Sequence, residues 1–324
     1  MYVKGKYVKK ILNPQEIYLL ERYISSDYFC ELRDTWEEVV VHVESCLAKL
    51  MKNLPTNYRA KPLPEQPDLV WGNRILPNFR SSLQGLNTGF ILLTHGDFKG
   101  LSQAWGPYGD FKGQMDYWSG WMDRPDENRY GELLNKSVML ASNICRTERA
   151  GWEPFDLANY CEYWGPLNPP LYWPSYRINA AVTVVTGGKV EQSGIYVPDV
   201  ENSCAEFLFT GYKVAPSAKV LLESRPLINA TTGEKYDEER IFKERSCAWY
   251  LVERDTEMQF VQQETDVGAP KSVRLAAGQV CGETGFYFTP AQQNSRRLFE
   301  RGAVMPSLDT TYGATIWQWD ENQI

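Results

Sequence analysis

Arg177-Ile178-Asn179-Ala180-Ala181-Val182-Thr183-Val184-Val185-Thr186-Gly187-Gly188 is where the chain changes its period. Ile178, Ala180, Val182 and Val184 alternate with other residues, the two-residue period of a strand with one buried face, and Gly187-Gly188 then marks a tight turn. Upstream the apolar residues recur every three or four positions. Phe29, Leu32, Trp36, Val39, Val43, Cys46 and Leu50 form one stripe, which predicts a long amphipathic helix from about Asp27 to Pro55. The switch predicts an α+β chain: an antiparallel helical domain over 1–150, a Pro-rich aromatic strap over 151–176, and a mostly β domain over 177–324.

Helix signals divide the first part. Asn13-Pro14-Gln15-Glu16 combines an N-cap, a proline at the first helical position and a capping-box glutamate. Five prolines over 54–77 predict an extended connection. A third helix is expected from Asn78 to His95-Gly96-Asp97, then a glycine-rich loop over Gly106–Asp110, then a last helix over Asp126–Arg149. In the strap, Trp152, Phe155, Tyr160, Tyr163, Trp164, Tyr172, Trp173 and Tyr176 are too aromatic for a solvated linker.

Downstream of 177 one unit occurs twice. Ser193-Gly194-Ile195-Tyr196-Val197 matches Thr284-Gly285-Phe286-Tyr287-Phe288, and Asn202-Ser203 before Phe207 matches Asn294-Ser295 before Phe299. Gly211, Val214, Pro216 and Ser217 match Gly302, Val304, Pro306 and Ser307, and each copy ends on a Trp-containing strand, at Trp249 and at Trp317. Five matches in one order define a repeat. Module 1 is expected at about 177–255 and module 2 at about 271–324, each a small SH3-like β unit with Tyr196 equivalent to Tyr287 and Phe207 to Phe299. The first carries a charged insertion, Thr232–Arg240, and Ala291–Arg301 is open to a short helix.

Composition bounds the function. A hydrophobic fraction of 43% and a charged fraction of 23% are those of a globular chain, and a net charge of −7 argues against nucleic acid, whose phosphates need a basic stripe. No apolar run is long enough to span a bilayer, and the basic N-terminus lacks a signal-peptide core. The seven cysteines are odd in number, scattered and without a CxxC pair, which predicts free thiols and a cytoplasmic setting.

Catalytic and metal signals are sparse. The two histidines, His42 and His95, are read as a solvated helix residue and a helix-end residue, and no zinc spacing, nucleophile elbow or phosphate loop occurs. No cofactor or metal is expected. Acid framing aromatic anchors is what a basic protein partner needs, and two segments fit: Asp110, Asp116, Trp118, Trp121, Asp123, Asp126 and Glu127, and the insertion with Glu234, Asp237, Glu238 and Glu239. The competing reading of the first is that Trp118 and Trp121 pack inward and only the acids face water.

The strings Ser-Gly-Ile-Tyr-Val-Pro-Asp at 193–199, Thr-Gly-Phe-Tyr-Phe-Thr-Pro at 284–290, Arg-Leu-Phe-Glu-Arg-Gly-Ala-Val-Met-Pro at 297–306 and Tyr-Gly-Ala-Thr-Ile-Trp-Gln-Trp-Asp at 312–320 resemble a family of bacterial immunity proteins. These are encoded beside polymorphic toxins, notably type VI secretion effectors. Leu93-Thr94-His95-Gly96-Asp97 and the helix before Trp152 are also similar. The resemblance implies a protein that neutralises a cognate toxin by direct binding, with self-association left open. It carries over no interface residue. Two other readings remain: an adaptor that binds a peptide through its β modules, and a carboxylate-dependent hydrolase.

Overall fold

The computed structural model describes residues 12–114, 117–211, 214–229, 232–255, 274–289, 295–308 and 315–320. Helices fill the first half and antiparallel sheets the second, the α+β class expected. The chain divides into two compact units, 1–262 and 263–324. That division differs from the expected helical and β halves. The reason is packing: Ile195, Val197, Cys204, Ala205, Phe207, Phe209 and Val252 of the first β module share one core cluster with the helices.

The long helices start where their caps say. Asn13 accepts from the backbone N–H groups of Gln15 and Glu16 at the head of α1 (Pro14–Tyr23), and Ser25 accepts from Tyr28 at the head of α2 (Ser26–Lys52). The Pro-rich connection holds more helix than expected. A short α3 (Pro67–Val70) runs through a π turn (Trp71–Ile75) into α4 (Leu76–Thr94). Pro77 has no N–H to give to the preceding turn, and the wide turn before it, closed by Leu76 N–H to Trp71 O, absorbs its ring. The glycine-rich stretch is also helical: a 3-10 run (Phe98–Ala104) leads into α5 (Trp105–Gln114). A Cβ on Gly106 would lie 2.8 Å from Ser82 Oγ, so the glycine serves the crossing of α5 on α4 rather than a loop. Asp123 caps α6 (Arg124–Glu148), and Pro125 sits in its first turn.

The strap is fastened by side chains. Its short α7 (Asp156–Asn159) offers the Leu157 and Ala158 carbonyls to Gln15 Nε2, and Arg22 donates to the Pro166 and Leu167 carbonyls. Trp152 is buried, stacked on Tyr23 at 5.7 Å, and donates from Nε1 to Thr147 Oγ1. Tyr163 and Leu171 point outward, 74% and 87% exposed.

Module 1 is a four-stranded sheet in the order β1-β6-β2-β3, from β1 (Tyr176–Val185), β2 (Gly194–Pro198), β3 (Glu206–Leu208) and β6 (Ala248–Arg254). Between β3 and β6 a two-stranded ribbon, β4 (Ala218–Ile228) with β5 (Lys235–Arg245), is inserted. The charged insertion expected at Thr232–Arg240 is therefore part of the turn and the first half of β5 in a longer arm, paired from Ala218↔Arg245 to Ile228↔Lys235. The second unit repeats the sheet as β7-β10-β8-β9, from β7 (Arg274–Ala276), β8 (Gly285–Phe288), β9 (Arg297–Phe299) and β10 (Ile316–Trp319). The helix expected over Ala291–Arg301 is replaced by β9; residues 291–294 lie outside the described residues.

The repeat extends to single hydrogen bonds. Tyr196 donates to Gln192 O and Tyr287 to Glu283 O; Trp249 Nε1 donates to Pro216 O and Trp317 Nε1 to Pro306 O, both at 2.8 Å. Gly187 and Gly278, both at positive φ, donate to Ala215 O and Met305 O. Gly211 and Gly302 also share positive φ. One expected equivalence is off by a residue. Gly194 pairs with Leu208 and Gly285 with Phe299, so Phe299 stands where Leu208 does, and Leu298 where Phe207 does. Period two explains the slip, since adjacent strand residues face opposite sides: Leu208 and Phe299 face their module cores, whereas Phe207 faces the helices.

Candidate functional site

The two acid-and-aromatic segments have different fates. In the first, Trp71 fixes the backbone by donating from Nε1 to the Trp118 carbonyl. Trp121 packs inward, edge-on to Trp71 at 5.3 Å, whereas Trp118 stays 52% exposed. The inward reading thus describes Trp121 and not Trp118.

The acids of this segment are mostly engaged. Asp110 lies on α5, not in a loop, and accepts from Ser82 Oγ at 2.6 Å; burial raises its carboxyl above the usual range, with the serine bond opposing. Asp123 accepts from Asp126 N–H as the α6 cap, and its carboxylate is held by Lys49, which keeps it below the usual range. Lys49 also reaches Asp126 at 3.1 Å, and Glu127 accepts from Ser119 Oγ at 2.9 Å. Asp116 lies outside the described residues.

On the ribbon the acids are displayed. Glu234, Asp237, Glu238 and Glu239 are all exposed. Glu238 is held by Ser224 and by Lys235, and Glu239 stands across from Arg225. Apolar side chains accompany them, with Leu222 and Ile228 51% and 50% exposed. The arm is anchored along its lower half, where Ala218 and Val220 are buried and, midway, Arg240 opposite Ser224 donates to Asp156 and Glu153 at 2.8 Å each. An isolated two-stranded ribbon is marginal in water, so this fastening positions it.

Two groups escaped the sequence reading. Glu206 is buried at the seam of β3 with the helices and accepts from Trp152 N–H at 3.1 Å. Burial raises its carboxyl well above the ordinary value, and the nearby Glu16 adds to the rise. Its position in an otherwise apolar strand gave no sign of this. The second group is His42, which is half-buried rather than solvated. Its Nε2 lies 2.8 Å from the Asp126 carbonyl and 3.6 Å from Cys46 Sγ. His42, Cys46 and Asp126 bring their donor atoms within 4.8 Å of one another. Spacing rules miss this set because the aspartate comes from another helix. All seven cysteines are free thiols in the structure, and no helix among the described residues is long and apolar enough to cross a membrane.

A scan of protein-family models, a search of curated proteins and a search of solved structures each found no match to this chain.

Proposed function

We propose that the chain is a binding protein that neutralises a cognate toxin by one-to-one occupancy, in the cytoplasm and without turnover. The observation that carries this reading is the β4–β5 ribbon. Among the described residues the second unit makes the same four-stranded sheet with no such arm, and only 16 residues separate β9 from β10, so the arm is dispensable to the module. The outer part of the arm, where Glu223, Glu234, Asp237, Glu238 and Glu239 outnumber Arg225 and Lys235, suits recognition of a basic protein surface, since complementary charge speeds encounter. Trp118, exposed above its fixed backbone, is the aromatic anchor available to the same partner. The resemblance to immunity proteins points the same way.

The test is titration of the full chain against the toxin encoded beside it. Protection should saturate near one molecule per toxin. Full protection at about a hundredth of that ratio would overturn occupancy and favour an enzyme. Charge reversal at Asp237 and Glu238 should weaken the complex by about 1–3 kcal/mol, mostly through slower association. The adaptor reading has one observation of its own. Among the described residues the ribbon is a two-stranded sheet, and beyond Leu221, whose N–H is held by Asn202 O, the outer edges of β4 and β5 offer backbone to an added strand. Binding that survives both charge reversal and high salt would favour it.

A further inference from the structure

We propose that His42, Cys46 and Asp126 form a zinc site at the seam of α2 and α6, with water in the fourth position. His42 and Cys46 are four apart on α2 and so share one helix face, and Asp126 arrives from the first turn of α6. The three donor atoms lie within 4.8 Å of one another. Zinc–nitrogen and zinc–sulfur bonds of about 2.0 and 2.3 Å at a tetrahedral angle place the two ligand atoms about 3.5 Å apart. His42 Nε2 and Cys46 Sγ are separated by 3.6 Å.

The donor set selects the ion. A thiol and an imidazole with one carboxylate suit zinc, whereas calcium and magnesium call for oxygen alone. Cys46 is 6% exposed, while Lys49 and Asp123 at the rim have side chains 61% and 48% exposed, so the site has a closed floor and an open entry. Without metal, Lys49 supplies the positive charge that Asp126 needs. With zinc, Asp126 turns to the ion and Lys49 keeps Asp123. Binding releases the Cys46 thiol proton to solvent, and the His42 ring proton moves from Nε2, beside the Asp126 carbonyl, to Nδ1, freeing the Nε2 lone pair. The ion would tie the start of α6, and so the segment that carries Trp118, to α2.

Calorimetric titration of the chelator-stripped full chain with zinc should show one tight site per chain. His42→Gln and Cys46→Ser should each weaken it at least tenfold, while Cys30→Ser and Cys161→Ser, at the two least buried thiols outside the β modules, leave it unchanged. The cobalt-loaded chain should show a thiolate-to-metal charge-transfer band that disappears in Cys46→Ser. Because Cys46 is buried and its substitution can perturb folding, half-exposed His42→Gln with an unchanged circular dichroism spectrum is the decisive variant. No binding, binding of equal strength in His42→Gln, or a cobalt band that survives Cys46→Ser overturns the site.

Discussion

The two β modules share strand order, turn glycines and a Trp–Pro hydrogen bond, yet they treat the outer face of the sheet in opposite ways. In the first, Ile195, Val197, Phe207 and Val252 are buried, with Phe207 edge-on to Phe98 of the helical part at 5.0 Å. In the second, register places Phe286, Phe288, Leu298 and Asp320 at those positions. Phe288 and Leu298 are 36% and 54% exposed, and Arg296 both lies over Phe286 at 3.9 Å and pairs with Asp320. One backbone plan therefore serves as half of a larger core or as a self-contained unit. The choice is made at a few positions on one face, while the inner face stays Tyr and Trp in both.

The largest expected effect probes what the copies share. Trp249→Ala and Trp317→Ala each remove a fully buried indole and should cost about 3–5 kcal/mol of local stability. Hydrogen exchange should show the first loosening the helical part too, through the shared core. The second should loosen only residues 274–320. Equal loosening everywhere in both variants would dissolve the two-unit description.

The outer face should then separate the copies. Phe207→Ala should cost about 3 kcal/mol in denaturant unfolding, whereas Leu298→Ala at the equivalent position should stay within about 0.5 kcal/mol. Comparable losses would mean that the second face is also covered.

A smaller effect concerns charge on the opposite, inner face, where Glu206 and Arg297 are equivalent through their pairing with Tyr196 and Tyr287. The Glu206 carboxyl is raised by burial, so the folded state favours its protonated form. A raised acid costs stability as pH climbs above its unfolded value of 4.5. Glu206→Gln should therefore raise Tm at neutral pH, with the gain shrinking toward zero as pH falls below 4.5. A gain that grows on acidification would reverse the assignment. The smallest stability effect is expected from replacing residues 225–239 with an Asn-Gly turn. That change keeps Arg240 at its anchor and should leave Tm nearly unchanged while removing the displayed acids.

Most of this architecture was legible in the sequence because it is written in local terms. Asn13 and Ser25 cap where their side chains allow, and the Tyr196/Tyr287 match survives to the hydrogen bond. The failures share a cause. Gly106-Pro107 reads as a loop until the contact with Ser82 supplies a reason for glycine within a helix. Residue type and order pair Phe207 with Phe299, although the face a strand residue takes depends on what packs behind the sheet. Of the candidate partner surface, the acids of the ribbon are exposed, while Asp123 and Asp126 are compensated by a lysine distant in sequence. His42, Cys46 and Asp126 lie on two helices, a juxtaposition that no spacing rule contains.

The ribbon also bears on how the first module reaches its native topology. Strand β6 must return to pair with β1 and β2 across the roughly 40 residues that separate it from β3. A chain of that length closes slowly when it is floppy, because the entropy of bringing its ends together is lost before the contacts form. A hairpin forms from neighbours alone, within about 1–10 μs. Once β4 and β5 have zipped, their bases at Ala218 and Arg245 lie side by side, and the chain left to close between β3 and β6 shortens to the segments 209–217 and 246–247. The exposed arm thus acts during folding as a clasp that shortens the path to the last central strand.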